Sequence, residues 1–133
     1  MAKINYQNLP STSTPLNATN MNSMQEISNY SLNEKEVGNW VNGKPIYRKV
    51  IDFGSLPNAT TKEVDHNISN LDYIVQINAI AITSTKYFLY IPYFDITDGI
   101  TLFGSSTKVG IRTMSDRSSY STYIVIDYTK TTD

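Results

Sequence analysis

The sequence predicts a mainly β protein: an antiparallel, jelly-roll-like β-sandwich head over residues 31–133, preceded by an extended arm and a short α-helix over residues 1–30. Three observations predict it. After residue 37 the chain breaks into short β-prone runs bounded by Gly, Asp and Ser clusters. Two of these runs flank Asn42-Gly43, the strongest short-range hairpin signal. No long helical pattern separates the runs, which removes parallel βαβ units and leaves antiparallel packing around one core of roughly 100 residues.

The elements follow in order. Residues 1–16 hold Pro10, Pro15 and a Ser-Thr-Ser-Thr run, with few large apolar groups, so they cannot build a core and read as an extended arm. Residues 17–29 begin with Asn17 as a helix cap and place Met21, Met24 and Ile27 at i, i+3, i+6 spacing, which predicts a helix of about three turns. An isolated helix that short is marginal in water. Its stripe therefore needs a partner in the same chain, in a symmetry mate or at a docking site. Ser31-Leu32-Asn33-Glu34 matches a capping box and predicts one further helical turn over 31–36.

The hairpin Val37–Val41, Asn42-Gly43, Lys44–Val50 comes next, with Pro45 placing that part of its second strand at a sheet edge. A further strand is expected at 60–66. Residues 71–83 form a long β run with Val75, Ile77, Ala79 and Ala81 on one face and Ile74, Ile80 and Ile82 on the other, as in a central strand covered on both sides. Runs at 86–94, 100–103 paired with 109–113, and 122–130 complete the set.

Composition narrows the function. The 133 residues carry 11 basic and 12 acidic side chains, net charge −1, so no strong field points to nucleic acid or an anionic membrane. There is no Cys and one His, which removes disulfides and thiolate chemistry and nearly removes zinc sites and Ser-His triads. Uncharged polarity dominates instead, in Ser, Thr and Asn. The N-terminus lacks the apolar core of a secretory signal, and no apolar run approaches the ~20 residues of a membrane span.

No catalytic residue, cofactor or metal is expected. His66 reads as a structural or surface residue. Asp95 and Asp98 are the best local carboxylate pair for glycoside chemistry, but Asp-x-x-Asp-Gly is also what a turn between strands looks like. Aromatic rings remain. Tyr87, Tyr90, Tyr93 and Tyr120 are candidate contacts for a neutral ligand such as a glycan, whose CH faces stack on rings while its hydroxyls meet Asn, Ser and Thr. Phe88, Phe94, Tyr123 and Tyr128 read as core or interface rings, and Trp40 as a core or interface anchor.

Two stretches carry a resemblance. The segment from Asn8 to Asn22, with Pro10-Ser11, Thr14-Pro15-Leu16-Asn17-Ala18 and Asn20-Met21-Asn22, resembles the opening of virion appendage proteins from phages of Gram-positive bacteria. The run Tyr30-Ser31 through Gly38-Asn39-Trp40-Val41-Asn42-Gly43-Lys44-Pro45-Ile46-Tyr47 to Ile51 resembles the start of a module at the C-terminal end of phage tail and fibre proteins, which continues through His66-Asn67-Ile68 and Tyr128-Thr129-Lys130. The resemblance implies a virion-surface structural protein, commonly a homotrimer. Its attachment segment would include Pro10, Pro15, Leu16, Asn17 and Met21, and Met21, Met24 and Ile27 would form the trimer helix. The β head would face outward toward a host surface glycan. Partners would be other virion proteins, with no nucleic acid and no membrane. Almost nothing lies between anchor and head, so such an appendage is short.

Overall fold

The computed structural model describes residues 29–133; the predicted arm, the 17–29 helix and the attachment residues Pro10, Pro15, Leu16, Asn17, Met21, Met24 and Ile27 lie outside the described residues, apart from Asn29 at the end of that span. Eight strands run in order as β1 (Lys35–Asn39), β2 (Pro45–Ser55), β3 (Thr61–Asp65), β4 (Leu71–Ile82), β5 (Phe88–Ile91), β6 (Ile100–Gly104), β7 (Lys108–Thr113) and β8 (Ser121–Lys130). They form two antiparallel sheets, one of five strands in the order β1-β2-β8-β4-β5 and one of three in the order β3-β7-β6. The chain crosses between the sheets four times, after β2, β3, β5 and β7, and the pairs β2/β8 and β3/β7 bring its early and late strands together in each sheet.

One hydrophobic cluster joins the two sheets. The large sheet gives it Ile51, Phe53, Ala79, Leu89, Ile91, Ile124, Ile126 and Tyr128, and the small sheet gives it Ile100, Val109 and Ile111. Strict alternation produces this: Leu89 and Ile91 of β5 are buried while Phe88 and Tyr90 between them are exposed, as the two-residue period of a strand requires.

Four local readings are corrected. Residues 31–36 do not form a helical turn. The Ser31 hydroxyl accepts from the Asn33 amide, the Ser31 carbonyl accepts from the Val50 amide, and the Glu34 carboxylate is taken by Tyr128 and Lys130, so no capping box can close. The hairpin forms, but Asn42-Gly43 is not a two-residue turn. The Trp40 carbonyl accepts from Gly43, making Val41 and Asn42 the central residues and leaving Gly43 at φ +87° as the bulge residue of a three-residue loop.

The third correction concerns β4. Its register against β8 slips between Ile74 and Gln76, which adds one residue and turns Ile74 inward, opposite Tyr128. Ile74 and Ile77 then lie on the same face, and both approach Gly104 of β6, where a Cβ would stand 2.9 Å from the Ile74 side chain. Pro45 stands as read: it heads β2, where only β1 is alongside, and from Tyr47 onward β2 is paired on both sides. The fourth correction is the run at 86–94, which contracts to the four residues of β5, since Lys86 takes a left-handed φ of +70° ahead of it and Pro92 follows.

Candidate functional site

Three exposed rings, Phe88 and Tyr90 of β5 and Tyr123 of β8, stand on the outer face of the five-stranded sheet. Register sets Tyr90 of β5 beside Ile80 of β4, and Ile80 beside Tyr123 of β8, a row that crosses three strands. In the next row Phe88 lies beside Ile82. Tyr90 is 70% exposed, Phe88 51% and Tyr123 49%, and Tyr87, one residue before β5, is 61% exposed. Asn78, Ser121 and Asp52 are exposed near these rows and supply hydrogen-bonding groups. Rings beside short polar side chains can take the CH faces and hydroxyls of a sugar.

The four Tyr residues expected to contact ligand do not act together. Tyr90 stands with Phe88 on the outer face of β5, and Tyr87 is exposed just before that strand. Tyr120 is buried, and Tyr93 packs against the core. Both of the latter hold Arg117, whose guanidinium lies 5.7 Å from each ring centroid and donates to the Asp98 carbonyl. They brace the 92–99 loop instead of presenting a platform. Phe88 and Tyr123, read from sequence as core or interface rings, stand on the exposed face, whereas Tyr128 fills the core. Strand alternation alone would have separated Leu89 and Ile91 from Phe88 and Tyr90, but only the pairing with β4 says which set faces inward.

In the 92–99 loop the Asp95 carboxylate is taken up by the turn. Asp95 Oδ1 accepts from the Thr97 amide and hydroxyl and from the Asp98 amide, at 2.9, 3.1 and 3.0 Å. These donors favour the charged form and lower the Asp95 pKa below the ordinary carboxylate value. A glycosidase acid needs the opposite shift. Asp95 thus caps a turn that ends at Gly99, where a Cβ would lie 2.8 Å from the Asp95 carbonyl. The loop presents Phe94 and Ile96, 92% and 91% exposed, and Phe94 lines an apolar groove of about 350 Å³ with Met114, Leu102 and Thr101.

His66 is 1% exposed and fully bonded: Nδ1 accepts from the Ile68 amide at 3.1 Å, and Nε2 lies 3.0 Å from the Ser105 carbonyl. A proton on Nε2 satisfies both contacts. Its role is to tie the β3–β4 loop to the β6–β7 turn. Trp40 is half-buried, with its ring centroid 6.1 Å from that of Tyr73. Among the described residues no three His, Cys, Asp or Glu side chains stand together as a metal site. No family model, no curated protein and no solved structure matches this chain.

Proposed function

We propose that the chain is a short phage virion appendage. Its two sheets are the layers of a jelly-roll-like sandwich head, its first 30 residues attach it to the particle, and three copies display the head at the virion surface toward a host glycan. The resemblance of residues 8–22 and 30–51 to phage appendage proteins supports the setting. The observation that carries the ligand is the rim of Tyr87, Phe88 and Tyr90 beside the polar Asn78 and Ser121. The near-neutral net charge of −1 suits a ligand held by stacking and hydrogen bonds rather than by ion pairing.

The test is binding of the purified protein to host cell-wall polysaccharide. Tyr90→Ala and Tyr87→Ala are expected to abolish binding while leaving the melting temperature unchanged, because both rings are exposed. Equal binding by the variants removes the rim as the contact. Deletion of residues 1–30 is expected to keep the purified protein off particles; its recovery on virions would sink the attachment role.

A purely architectural decoration is the second reading, and Phe94 and Ile96 on their braced loop favour it, because exposed apolar side chains held rigidly suit a protein contact. Particles that lack the protein, adsorb at the normal rate and break more easily would select that reading.

A further inference from the structure

We propose that the free edge of β5 pairs with the same edge of a second copy of this chain, joining two five-stranded sheets into one of ten strands. The direction of the backbone carries the argument. In an antiparallel sheet, successive residues turn their N–H and C=O groups to opposite sides. The Thr83 amide donates to the Tyr87 carbonyl, so Tyr87 faces β4, and the register then turns Leu89 toward Ala81 and Ile91 toward Ala79. The N–H and C=O groups of Phe88 and Tyr90 therefore point away from β4, and no group among the described residues bonds them.

The other sheet edges are charged or covered. β1 carries Lys35 and Glu36, and its register is broken between Glu36 and Gly38. β3 carries Lys62, Glu63 and Asp65. β6 is bridged to Tyr93 at Ile100, and at Gly104 it packs against the side chains of Ile74 and Ile77. Charge, bulges and cover are how an edge is kept from pairing. β5 has none of them: its residues are Phe88-Leu89-Tyr90-Ile91, and no charged residue occurs from Tyr87 to Phe94.

The occupant is a second copy because the edge is complementary to itself. With the two strands antiparallel about a two-fold axis at Leu89, Phe88 lies opposite the partner's Tyr90, and Tyr90 lies opposite the partner's Phe88. Each pair exchanges both of its hydrogen bonds, which satisfies every outward group of the two residues. The same register sets a Phe88 ring beside a Tyr90 ring on the outer face, a cross-strand aromatic pair. Other registers fail. A shift of two residues one way sets Tyr90 against the partner's Lys86, whose φ of +70° ends the strand; the other way sets Phe88 against the partner's Pro92, which has no N–H. The pairing does not rest on glycan binding. A two-fold contact joins heads in pairs, leaves three-fold association to other surfaces and keeps the outer rings open to a ligand.

Sedimentation equilibrium of the full-length protein is expected to give an even multiple of the 15.0 kDa chain mass. Tyr90→Pro deletes an N–H that bonds the partner and none that bonds β4, so the mass should fall to half while the circular dichroism stays unchanged. Tyr90→Ala keeps that N–H and should keep the mass. An odd multiple for the unaltered chain, an unchanged mass in Tyr90→Pro, or the same fall in Tyr90→Ala would overturn the proposal. A second measurement does not depend on the proline variant folding. The chain has no cysteine, so an introduced one reports cleanly. On mild oxidation, an equimolar mixture of Phe88→Cys and Tyr90→Cys chains should give several-fold more disulfide-linked dimer than either variant alone, because residue 88 lies opposite residue 90 of the partner. Equal yields, or no linked dimer in the mixture, would also overturn it.

Discussion

The contact between Glu34 and Tyr128 fastens the segment entering β1 to the last strand, and its worth can be measured. Tyr128 is fully buried, and its hydroxyl donates to Glu34 Oε1. Burial and the neighbouring carboxylate push the Tyr128 pKa far above the ordinary tyrosine value, so the donor stays protonated. Glu34 Oε2 also accepts from Lys130 Nζ at 2.8 Å. A hydrogen bond to a charged group contributes about 1.5–3 kcal/mol. The Glu34 side chain is 32% exposed, which points to the low end, near 1.5 kcal/mol.

Tyr128→Phe keeps the ring and leaves Glu34 to Lys130 and water, so it should cost about 1.5 kcal/mol. Glu34→Ala strands a buried hydroxyl and frees Lys130, and should cost about 2 kcal/mol. The double variant should cost little more than Glu34→Ala alone, giving a coupling of about 1.5 kcal/mol. Urea unfolding followed by circular dichroism and Trp40 fluorescence measures all three. Additive costs, with coupling below about 0.5 kcal/mol, would refute the view that Glu34 anchors the hydroxyl.

Three further outcomes are expected. Ile126→Ala, at a fully buried position in the middle of β8, should cost about 2–5 kcal/mol by thermal or urea unfolding. Gly110→Ala should destabilise because its Cβ would lie 2.3 Å from the Phe103 ring, and the same change in a Phe103→Ala background should be nearly neutral; equal costs in both backgrounds would show that the ring is not the obstacle. Donation by the Tyr47 hydroxyl to Asp133 pushes the Tyr47 pKa up to about 12. Since the unfolded value is near 10, the folded state holds the proton more tightly, so this stabilisation is complete below pH ~10 and is lost as pH rises through the folded value. Tyr47→Phe should flatten that stretch of the stability profile, read by unfolding at pH 9 to 12.

The sequence carried the local elements well and the pairing poorly. The hairpin at Trp40–Lys44, the strand at 61–65, the β6–β7 pair and β8 were legible because turn residues and two-residue alternation are written in neighbouring positions. Asp95 as a turn cap was legible for the same reason. Ser31–Glu34 misled because a capping box satisfies the same side chains that long-range partners claimed first: Val50, Tyr128 and Lys130 lie far along the chain. The Ile74 reversal was hidden because a bulge is a property of two paired strands and leaves no mark in one of them. The candidate site divided for a related reason. Tyr93 and Tyr120 look like Tyr87 and Tyr90 in sequence, and only the placement of Arg117 between the first two turns them into bracing.

By itself, then, the sequence determined that this is a β protein of short antiparallel strands, where its turns fall, and that charge, thiol and histidine chemistry are scarce in it. Those properties follow from backbone preference, alternation and composition, which act over a few residues. Tertiary structure alone decided the five-and-three division of the sheets, the inward side of β4 and the exposure of Phe88, Tyr90 and Tyr123 on the outer face. Each of these depends on which distant strand lies alongside, because burial is settled by the neighbour that removes water and not by the residue itself.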